Sequence, residues 1–154
     1  MTTYKLEMSE EKIQSIGLLV DETYFSKEKE LISQIVNSGI PESKIEILIY
    51  KDKIKKKETF ENASFSRMDV TISGDFSKSE VGDFISKPFD MLISYYDIEK
   101  PVLTLVTLKS RAKFKVGFST IDKRLNNFMI GTIAENHKEF VAELFKYLKI
   151  LNKI

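Results

Sequence analysis

Apolar residues along the chain fall into short runs that are separated by stretches of helical period. The first run is residues 15–20 (SIGLLV), and the next is residues 44–50 (KIEILIY). Between them, Leu31 and Ile35 recur at the spacing of one helix face, and Gly39 marks the end of that helix. This pattern predicts a strand, a helix and a second strand, the unit from which parallel sheets are built.

The same alternation continues along the chain and gives the remaining predicted elements. The predicted strands are residues 15–20, 44–50, 69–72, 89–95, 113–118 and 128–133. The predicted helices are residues 26–38, a segment between Ser77 and Pro88, residues 101–109 and residues 137–151. Residues 51–67 lack a clear period and are expected to form a long connection with room for a short helix.

Polar residues before three of these helices predict how each helix begins. Ser26 is expected to cap the first helix through its hydroxyl group. Ser77 with Glu80, and Asn136 with Glu139, have the spacing of capping boxes. Each box would satisfy two backbone N–H groups in the first turn of its helix.

Strands that alternate with helices in this way predict an α/β fold. We expect a three-layer Rossmann-like or flavodoxin-like domain with a mainly parallel sheet of about five or six strands. Residues 1–154 are predicted to form this single domain, and the polar residues 1–12 are expected to be a loose N-terminal segment.

Right-handed crossovers place the carboxyl ends of parallel strands at one edge of the sheet, where ligands of such folds bind. Polar and aromatic residues that follow the predicted strands are therefore candidates for a binding site. These candidates are Asp21, Glu22, Asp52, Ser94, Tyr95, Tyr96, Asp97, Ser119, Thr120 and Asp122.

The acidic and aromatic candidates each allow two interpretations. Asp21 and Glu22 can hold a divalent cation or act as acid and base, or they can simply begin a surface turn. Tyr95 and Tyr96 can stack on a flat ring, or one can face the core and the other the edge of the sheet.

Lysine and arginine near residue 117 are further candidates at the same edge of the sheet, where Lys115, Gly117 and Arg124 offer a contact for a phosphate or carboxylate. Lys113 and Lys115 share one strand face, and Gly117 would let a ligand or a backbone segment approach closely. Arg124 belongs to the same group, although with Asp122 it can also form an ordinary surface ion pair.

The composition and the missing motifs exclude several classes of function. The net charge of +1 and the absence of cysteine argue against a dedicated nucleic-acid binder and a thiolate site. There is no glycine-rich phosphate loop and no zinc-protease or nucleophile-elbow motif, so no catalytic residue, metal or cofactor is assigned. His137 is expected at the surface. No apolar run approaches the ~20 residues of a membrane-spanning helix, so a cytoplasmic protein without membrane contact is expected.

Three stretches carry a resemblance to known proteins: ISYY at residues 93–96, AKFKVGF at 112–118, and Asp122 with Arg124-Leu125-Asn126. They resemble a family of small uncharacterised α/β proteins of the Bacteroidetes, mostly flavobacterial, which is grouped as a domain of unknown function. The resemblance implies a cytoplasmic bacterial protein and no particular activity.

A weaker resemblance runs from the strand that ends near Ser94 to KVGF. This segment is similar to the N-terminal half of heptosyltransferase-type glycosyltransferases, which need a second Rossmann domain to bind the nucleotide sugar. The resemblance implies a half-fold without transferase activity.

These observations lead to three hypotheses for function. The first is a non-catalytic binding or interaction module with an unknown protein partner or a small anionic ligand. The alternative is a small-molecule or nucleotide-binding enzyme that is related to a glycosyltransferase half-domain and acts through the sheet edge. The second alternative is an RNA- or ribosome-associated protein that binds through the five lysines of residues 51–57 (KDKIKKK), although such a run is more often a solvated loop.

Overall fold

The computed structural model describes residues 12–154, which form one six-stranded sheet covered by helices. The strands are β1 (Ile16–Asp21), β2 (Ile45–Lys51), β3 (Ala63–Ser66), β4 (Met91–Tyr95), β5 (Lys115–Phe118) and β6 (Phe128–Ile130). The α-helices are α1 (Glu28–Asn37), α2 (Ser79–Ser86), α3 (Pro101–Lys109) and α4 (His137–Ile150). Short 3-10 helices at Glu42–Lys44 and Arg67–Asp69 precede β2 and follow β3.

The strands lie in the order β3-β2-β1-β4-β5-β6, and every neighbouring pair is parallel. This is the strand order of the Rossmann fold; the flavodoxin-like order would place β3 on the other side of β1. The predicted α/β class with a parallel sheet and three layers is therefore confirmed.

Strand β1 is the centre of the sheet. It pairs with β2 along its whole length and with β4 along most of it, and Leu18, Leu19 and Val20 are fully buried. Burial of consecutive residues means that both faces of the strand are covered. The unbroken apolar sequence of β1 is a consequence of this double coverage.

Two layers of helices cover the sheet. Helices α1 and α4 pack against each other, and α2 packs beside α3. The ring of Tyr95 in β4 contacts Phe140 of α4, whereas the neighbouring Ser94 bonds to Thr107 of α3. Because successive residues of a strand point to opposite faces, α3 and α4 lie on opposite sides of the sheet.

Strands β5 and β6 are joined without a helix. Residues 119–127 form turns and bends only, although a parallel crossover usually contains a helix. One flank of α3 therefore lacks the neighbouring helix that a complete layer would supply.

The predicted third strand was wrong in position. The strand is Ala63–Ser66, in which Phe65 is fully buried, and not residues 69–72. Asp69 instead ends a 3-10 turn, and Val70 makes only an isolated bridge to Phe76. Ser66 and Asp69 form a true capping box in that turn, which the sequence reading had not identified.

The predicted helix caps were also wrong. Helices α1 and α2 begin after Lys27 and Lys78, and α4 begins after Asn136, but none of these three residues makes a side-chain capping bond. The Ser77 hydroxyl donates instead to the backbone oxygen of Asp69. The helices are therefore held mainly by their apolar faces rather than by local capping.

The amino-terminal prediction falls largely outside the described residues. Of the segment 1–12, only Lys12 is described, and its Nζ donates to Asn152 Oδ1 at 2.9 Å. The next residue, Ile13, is buried and its N–H bonds to the backbone oxygen of Lys153. None of the helices in the described part of the chain has the length and hydropathy needed to cross a membrane.

We predict that the buried face of α4 carries much of the stability. Leu144→Ala should lower the free energy of unfolding by about 2–5 kcal/mol, because Leu144 is fully buried and its removal leaves a cavity. Ile150→Ala, at a residue that is 70% exposed in the same helix, should change it by less than ~0.5 kcal/mol. Chemical denaturation measures both values. Equal losses would show that α4 is not packed as described.

Candidate functional site

The carboxyl edge of the sheet contains one point where the chain changes direction. From β1 the chain moves to β2 on one side, and later it returns to β4 on the other side. The connection that leaves β1 runs toward β2, whereas the connection that leaves β4 runs the other way toward β5, so they open a crevice outside the carboxyl ends of β1 and β4. This position is the topological switch point, where open α/β sheets bind their ligands.

A hollow of about 220 Å³ lies at this position, and we call it the switch-point hollow. Its lining comes from the ends of β1 and β4, the segment after β1, and the segment before α4. The lining residues are Asp21, Tyr24, Phe25, Tyr95, Tyr96, Asp97, Ile98, Ala134 and Glu135. Larger hollows of about 590 and 640 Å³ lie at the amino ends of β2 and beside α3, away from the switch point.

The inner wall of the switch-point hollow is aromatic. The Tyr95 ring packs on Phe25 and Phe140 at centroid distances of 5.1 and 5.0 Å. Its hydroxyl donates to the backbone oxygen of Ala134 at 2.5 Å. Burial and, after it, the charge of Asp97 raise the pKa of Tyr95 well above its ordinary value. The Tyr95 side chain is therefore held in place as part of the inner wall, and its hydroxyl stays protonated.

The charged residues that line the switch-point hollow are all acidic. Asp97 Oδ2 accepts the backbone N–H of Ala134 at 2.8 Å, and Glu135 is exposed. Asp21 is the third acid, and the lining contains no lysine, arginine or histidine. The potential in the hollow therefore favours a cation over an anion.

Lys100 neutralises part of this acidity from just before α3. Its Nζ lies 2.7 Å from Asp21 Oδ2 and 3.0 Å from Asp52 Oδ1, and it also donates to Thr23 Oγ1 at 3.3 Å. The same ammonium lies 5.5 Å from the centre of the Tyr50 ring. We call these residues the Lys100 cluster, which ties the carboxyl ends of β1 and β2 to the start of α3.

Titration behaviour within the Lys100 cluster follows from these bonds. Burial lowers the pKa of Lys100, but its bonds to Asp21 and Asp52 outweigh burial, so the net pKa is raised. Burial raises the pKa of Asp52, but its bonds from Lys100 and Tyr50 outweigh burial and lower the pKa below 3.8. Burial and the bond to Asp52 raise the pKa of Tyr50. These pKa shifts keep Lys100 and Asp52 charged, and Tyr50 neutral, near neutral pH.

The first strand-to-helix connection does not offer a phosphate site. The N–H of Thr23 donates to Asp21 Oδ1, and the N–H of Glu22 donates to the backbone oxygen of Tyr50. The first turn of α1 carries Glu28 and Glu30, which repel an anion at that helix end. The strand order is that of nucleotide-binding folds, but two N–H groups directly after β1 are already bonded within the protein and the start of α1 is acidic.

Ser94 lies inside the fold, and Tyr96, which lines the switch-point hollow, directs its hydroxyl to the buried Thr107. Ser94 Oγ and Tyr96 Oη each lie within 3.0 Å of Thr107 Oγ1 in α3. Both residues are nearly fully buried, and burial raises the pKa of Tyr96 to about 12. The side chain of Ser94 fixes α3 on the sheet and does not reach the switch-point hollow.

Lys115 and Gly117 were predicted at the binding edge, and the structure corrects both. Lys115 begins β5, so it lies at the opposite edge, where Nζ donates to the backbone oxygens of Thr107 and Leu108. It therefore caps the end of α3. At Gly117 a Cβ would lie 2.4 Å from Asn126 Nδ2, so the close approach serves a side chain of the protein itself.

Asp122 and Arg124 form the surface ion pair that was one of their two interpretations. Arg124 Nη2 lies 2.6 Å from Asp122 Oδ2, and its Nε contacts both carboxylate oxygens. Bonds from Arg124 lower the pKa of Asp122 to about 2. The pair lies beside α3 and is separate from the switch-point hollow.

The other candidates at the carboxyl edge are placed as follows. Glu22 is half-buried, and its Oε2 is inaccessible and has no hydrogen-bond partner among the described residues. Thr120 Oγ1 donates to the backbone oxygen of Asp97, and Ser119 is exposed. Within residues 12–154, no group of three or more histidine, cysteine, aspartate or glutamate side chains is arranged to hold a metal ion.

His137 was predicted at the surface, and this prediction was wrong. It is only 4% exposed, with Nδ1 at 2.9 Å from Gln34 Oε1 and Nε2 at 3.2 Å from Glu30 Oε2. These bonds join α4 to α1. A single histidine in the first turn of a helix carries no sequence signal for such a partner on another helix.

Sequence reasoning also missed Lys100, Thr23 and Phe25. Lys100 stands directly before Pro101, which is a recognisable start for α3. That signal predicts the helix start but not the carboxylates that the ammonium contacts. Phe25 follows β1 as a lone aromatic residue in a polar segment, and its burial depends on α4.

Comparisons with known proteins give one match. A family model described as "Family of unknown function (DUF6913)" matches residues 2–151. Neither the curated proteins nor the solved structures gave a match.

We predict that removal of the ammonium destabilises the Lys100 cluster in a pH-dependent manner. Lys100→Met should lower the free energy of unfolding at pH 7 by about 2–3 kcal/mol, because Asp21 and Asp52 lose their counter-ion. Because the pKa of Asp52 is lowered, its ion pair contributes to the free energy of unfolding above pH 3.8. This contribution is lost as the pH falls below that value. The difference from wild type should therefore narrow as the pH falls below that value.

Denaturation at pH 7 and below pH 3.8 tests this expectation. Lys53→Met, at an exposed lysine of the segment after β2, is the matched control and should have little effect at either pH. A loss for Lys100→Met that is equal at both pH values would show that the ion pairs do not contribute.

Proposed function

We infer for this chain, which belongs to the DUF6913 family of unknown function, that it is a non-catalytic binding protein. Its ligand is a small single-ring compound that carries a positive charge, and its binding site is the switch-point hollow. The observation that supports this proposal is an aromatic hollow with an all-acidic set of charged residues at the switch point of a Rossmann sheet.

The charge of the ligand follows from Asp97 and Glu135. The Asp21 carboxylate faces Lys100, so its charge is already balanced. Asp97 uses one oxygen to hold Ala134 N–H, and Glu135 is exposed at the same mouth. A cation between these two carboxylates would gain two attractive contacts, whereas a phosphate would meet two repulsive ones.

The ring of the ligand follows from the apolar residues at the mouth of the hollow. Tyr24 is 87% exposed and Ile98 is 56% exposed, and both line the same hollow as the buried Phe25. Exposed apolar residues that are contiguous mark ligand-binding grooves or interaction sites, and Tyr24 and Ile98 share one hollow. Tyrosine and phenylalanine faces also attract cations, so ring and charge are recognised together.

The tyrosines and the lysine near the switch point support a catalytic role less than they support binding. The raised pKa values of Tyr50 and Tyr95 keep these hydroxyls protonated, so they are poor bases near neutral pH. The raised pKa of Lys100 keeps its amine charged, so it is a poor nucleophile. The enzyme hypothesis, with its relation to a glycosyltransferase half-domain, therefore stays a second proposal behind binding.

The other sequence-based expectations remain proposals as well. Among the residues predicted for a small anionic ligand, Lys115 bonds to the end of α3 and Arg124 is already paired with Asp122. RNA contact through residues 51–57 would rely on Lys53 and its exposed neighbours, because Lys51 pairs with Glu58. A cytoplasmic location and a flavobacterial source are also carried forward as proposals.

Benzamidine, which has one ring and one positive charge, is a suitable probe for the proposed site. We expect it to raise the melting temperature in a saturable manner, because a ligand that binds only the folded state stabilises it. The neutral analogue benzamide should bind at least ~10-fold more weakly, and the anionic benzoate should not bind. Thermal shift and calorimetry measure these affinities.

Two variants connect the binding to the hollow. Asp97→Asn keeps an acceptor for Ala134 N–H but removes the charge, and it should weaken benzamidine binding at least ~10-fold. Tyr24→Ser removes an exposed ring and should also weaken binding. Glu143→Gln removes an exposed acid from α4 and is the control. Equal affinity for benzamidine and benzamide, or an unchanged affinity in Asp97→Asn, would contradict the proposal.

A further inference from the structure

The segment between β6 and α4 supplies one of the two unbalanced carboxylates of the switch-point hollow. Residues 131–136 form neither helix nor strand, and Glu135, which lines the hollow, is exposed. A carboxylate on an irregular, exposed segment has no fixed direction unless the backbone beside it is held. Recognition of a cation by Glu135 therefore depends on what holds this segment.

The backbone of the segment is held at Ala134, the residue directly before Glu135. The Ala134 oxygen accepts the hydroxyl of Tyr95 at 2.5 Å, and the Ala134 N–H donates to Asp97 Oδ2 at 2.8 Å. Tyr95 ends β4, and Asp97 follows it by two residues. Both bonds therefore connect the irregular segment to the carboxyl end of one central strand.

The two side chains that hold Ala134 differ in what they offer a ligand. Asp97 carries a charge, so it can attract a cation itself. The Tyr95 hydroxyl is neutral near neutral pH, and its proton is directed at the Ala134 oxygen. The Tyr95 ring is packed between Phe25 and Phe140, which keeps the hydroxyl in position. Any effect of this hydroxyl on the recognition of charge is therefore indirect.

We propose that Tyr95 is a positioning residue, whose hydroxyl bond to Ala134 orients Glu135 toward a bound cation. The bond thereby sets how strongly the switch-point hollow prefers a charged ring over a neutral one. This inference rests on the proposed function and deepens it. The ring of Tyr95 contributes to the wall that a ligand ring contacts, while its hydroxyl acts on the segment that carries the carboxylate.

A hydroxyl that only stabilises the fold would have a different effect on binding. Its loss would loosen the whole wall of the hollow, so charged and neutral ligands would lose affinity equally. Loss of a hydroxyl that positions Glu135 would weaken the charged ligand alone, because the ring contacts remain. The ratio of the affinities for benzamidine and benzamide distinguishes the two roles.

The variant Tyr95→Phe removes the hydroxyl and keeps the ring. We expect benzamidine to bind at least ~3-fold more weakly and the affinity for benzamide to change by less than ~2-fold. Tyr147→Phe is the matched control, because it removes a tyrosine hydroxyl from α4, where the ring stacks on Phe128 outside the hollow. It should leave both affinities unchanged. Calorimetry of the full chain measures the affinities, and thermal melts confirm that each variant is folded.

The variant Glu135→Gln tests whether Tyr95 acts through Glu135. Alone, it should weaken benzamidine binding because it removes a charge from the mouth of the hollow. Adding Tyr95→Phe should then have no further effect, because the carboxylate that the hydroxyl orients is already gone. Independent, additive losses from the two substitutions would overturn the inference, since the hydroxyl would then act on another group.

Amide hydrogen exchange of the wild-type protein tests the same bonds without any substitution. The Ala134 N–H should exchange slowly even without a ligand, because the segment is held before a ligand binds. Exchange at the rate of an unbonded, exposed amide would overturn the inference. This measurement remains decisive if Tyr95→Phe does not fold.

Failure of this inference can be told apart from failure of the proposed function. A wild-type protein that does not bind benzamidine would contradict the proposed function, and this inference with it. A wild-type protein that prefers benzamidine, together with a Tyr95→Phe variant that keeps the full preference, would overturn the inference alone. Equal losses of affinity for benzamidine and benzamide in Tyr95→Phe would also overturn it.

Discussion

The parallel pairing of β1 on both of its sides is the constraint on which the rest of the structure depends. Because β2 and β4 hold both edges of β1 and helices cover both faces, its six residues are almost entirely apolar and nearly all buried. The segment that follows β1 must therefore leave the sheet at the carboxyl end of the strand. The connection from β1 to β2 and the connection from β4 to β5 diverge, and the crevice between them is a geometric consequence of the strand order.

The chemistry of this crevice differs from that of nucleotide-binding Rossmann domains. Those domains leave backbone N–H groups free after β1 and use a helix amino end to bind phosphate. Here Asp21 and Tyr50 accept the N–H groups of Thr23 and Glu22, and glutamates stand at the start of α1. The Lys100 cluster stabilises the strand ends through ion pairs within the protein. The same fold therefore presents an acidic, aromatic hollow in place of a phosphate cradle.

Sequence reasoning predicted the elements that depend on local pattern. α3 was predicted with its observed bounds, and α4 to within one residue, because their apolar periods and flanking residues are local features. β3 was misplaced because a four-residue edge strand with one buried aromatic residue leaves little pattern. The long polar connection that contains β3 has no hydrophobic periodicity, so its sequence does not show where the strand lies.

The site was predicted less well because it depends on contacts between distant segments. The strand-end rule alone predicted Asp21, Tyr95 and Asp97 at the carboxyl edge of the sheet, and all three line the switch-point hollow. Lys115 was assigned to the wrong edge because β5 starts at this residue, and a strand of four residues leaves its first side chain at the amino end. Lys100 could not be assigned to Asp21 without knowledge that α3 begins beside β1.

The central claim is that the switch-point hollow of this family member binds a cationic ring. A crystal structure of the protein soaked with benzamidine tests it most directly, because the difference density reports position without assuming it. The account predicts the amidinium within hydrogen-bond distance of Asp97 or Glu135 and the ring against Tyr24 or Phe25. An empty switch-point hollow at saturating benzamidine, or density only beside α3 or at the amino ends of the strands, would contradict it.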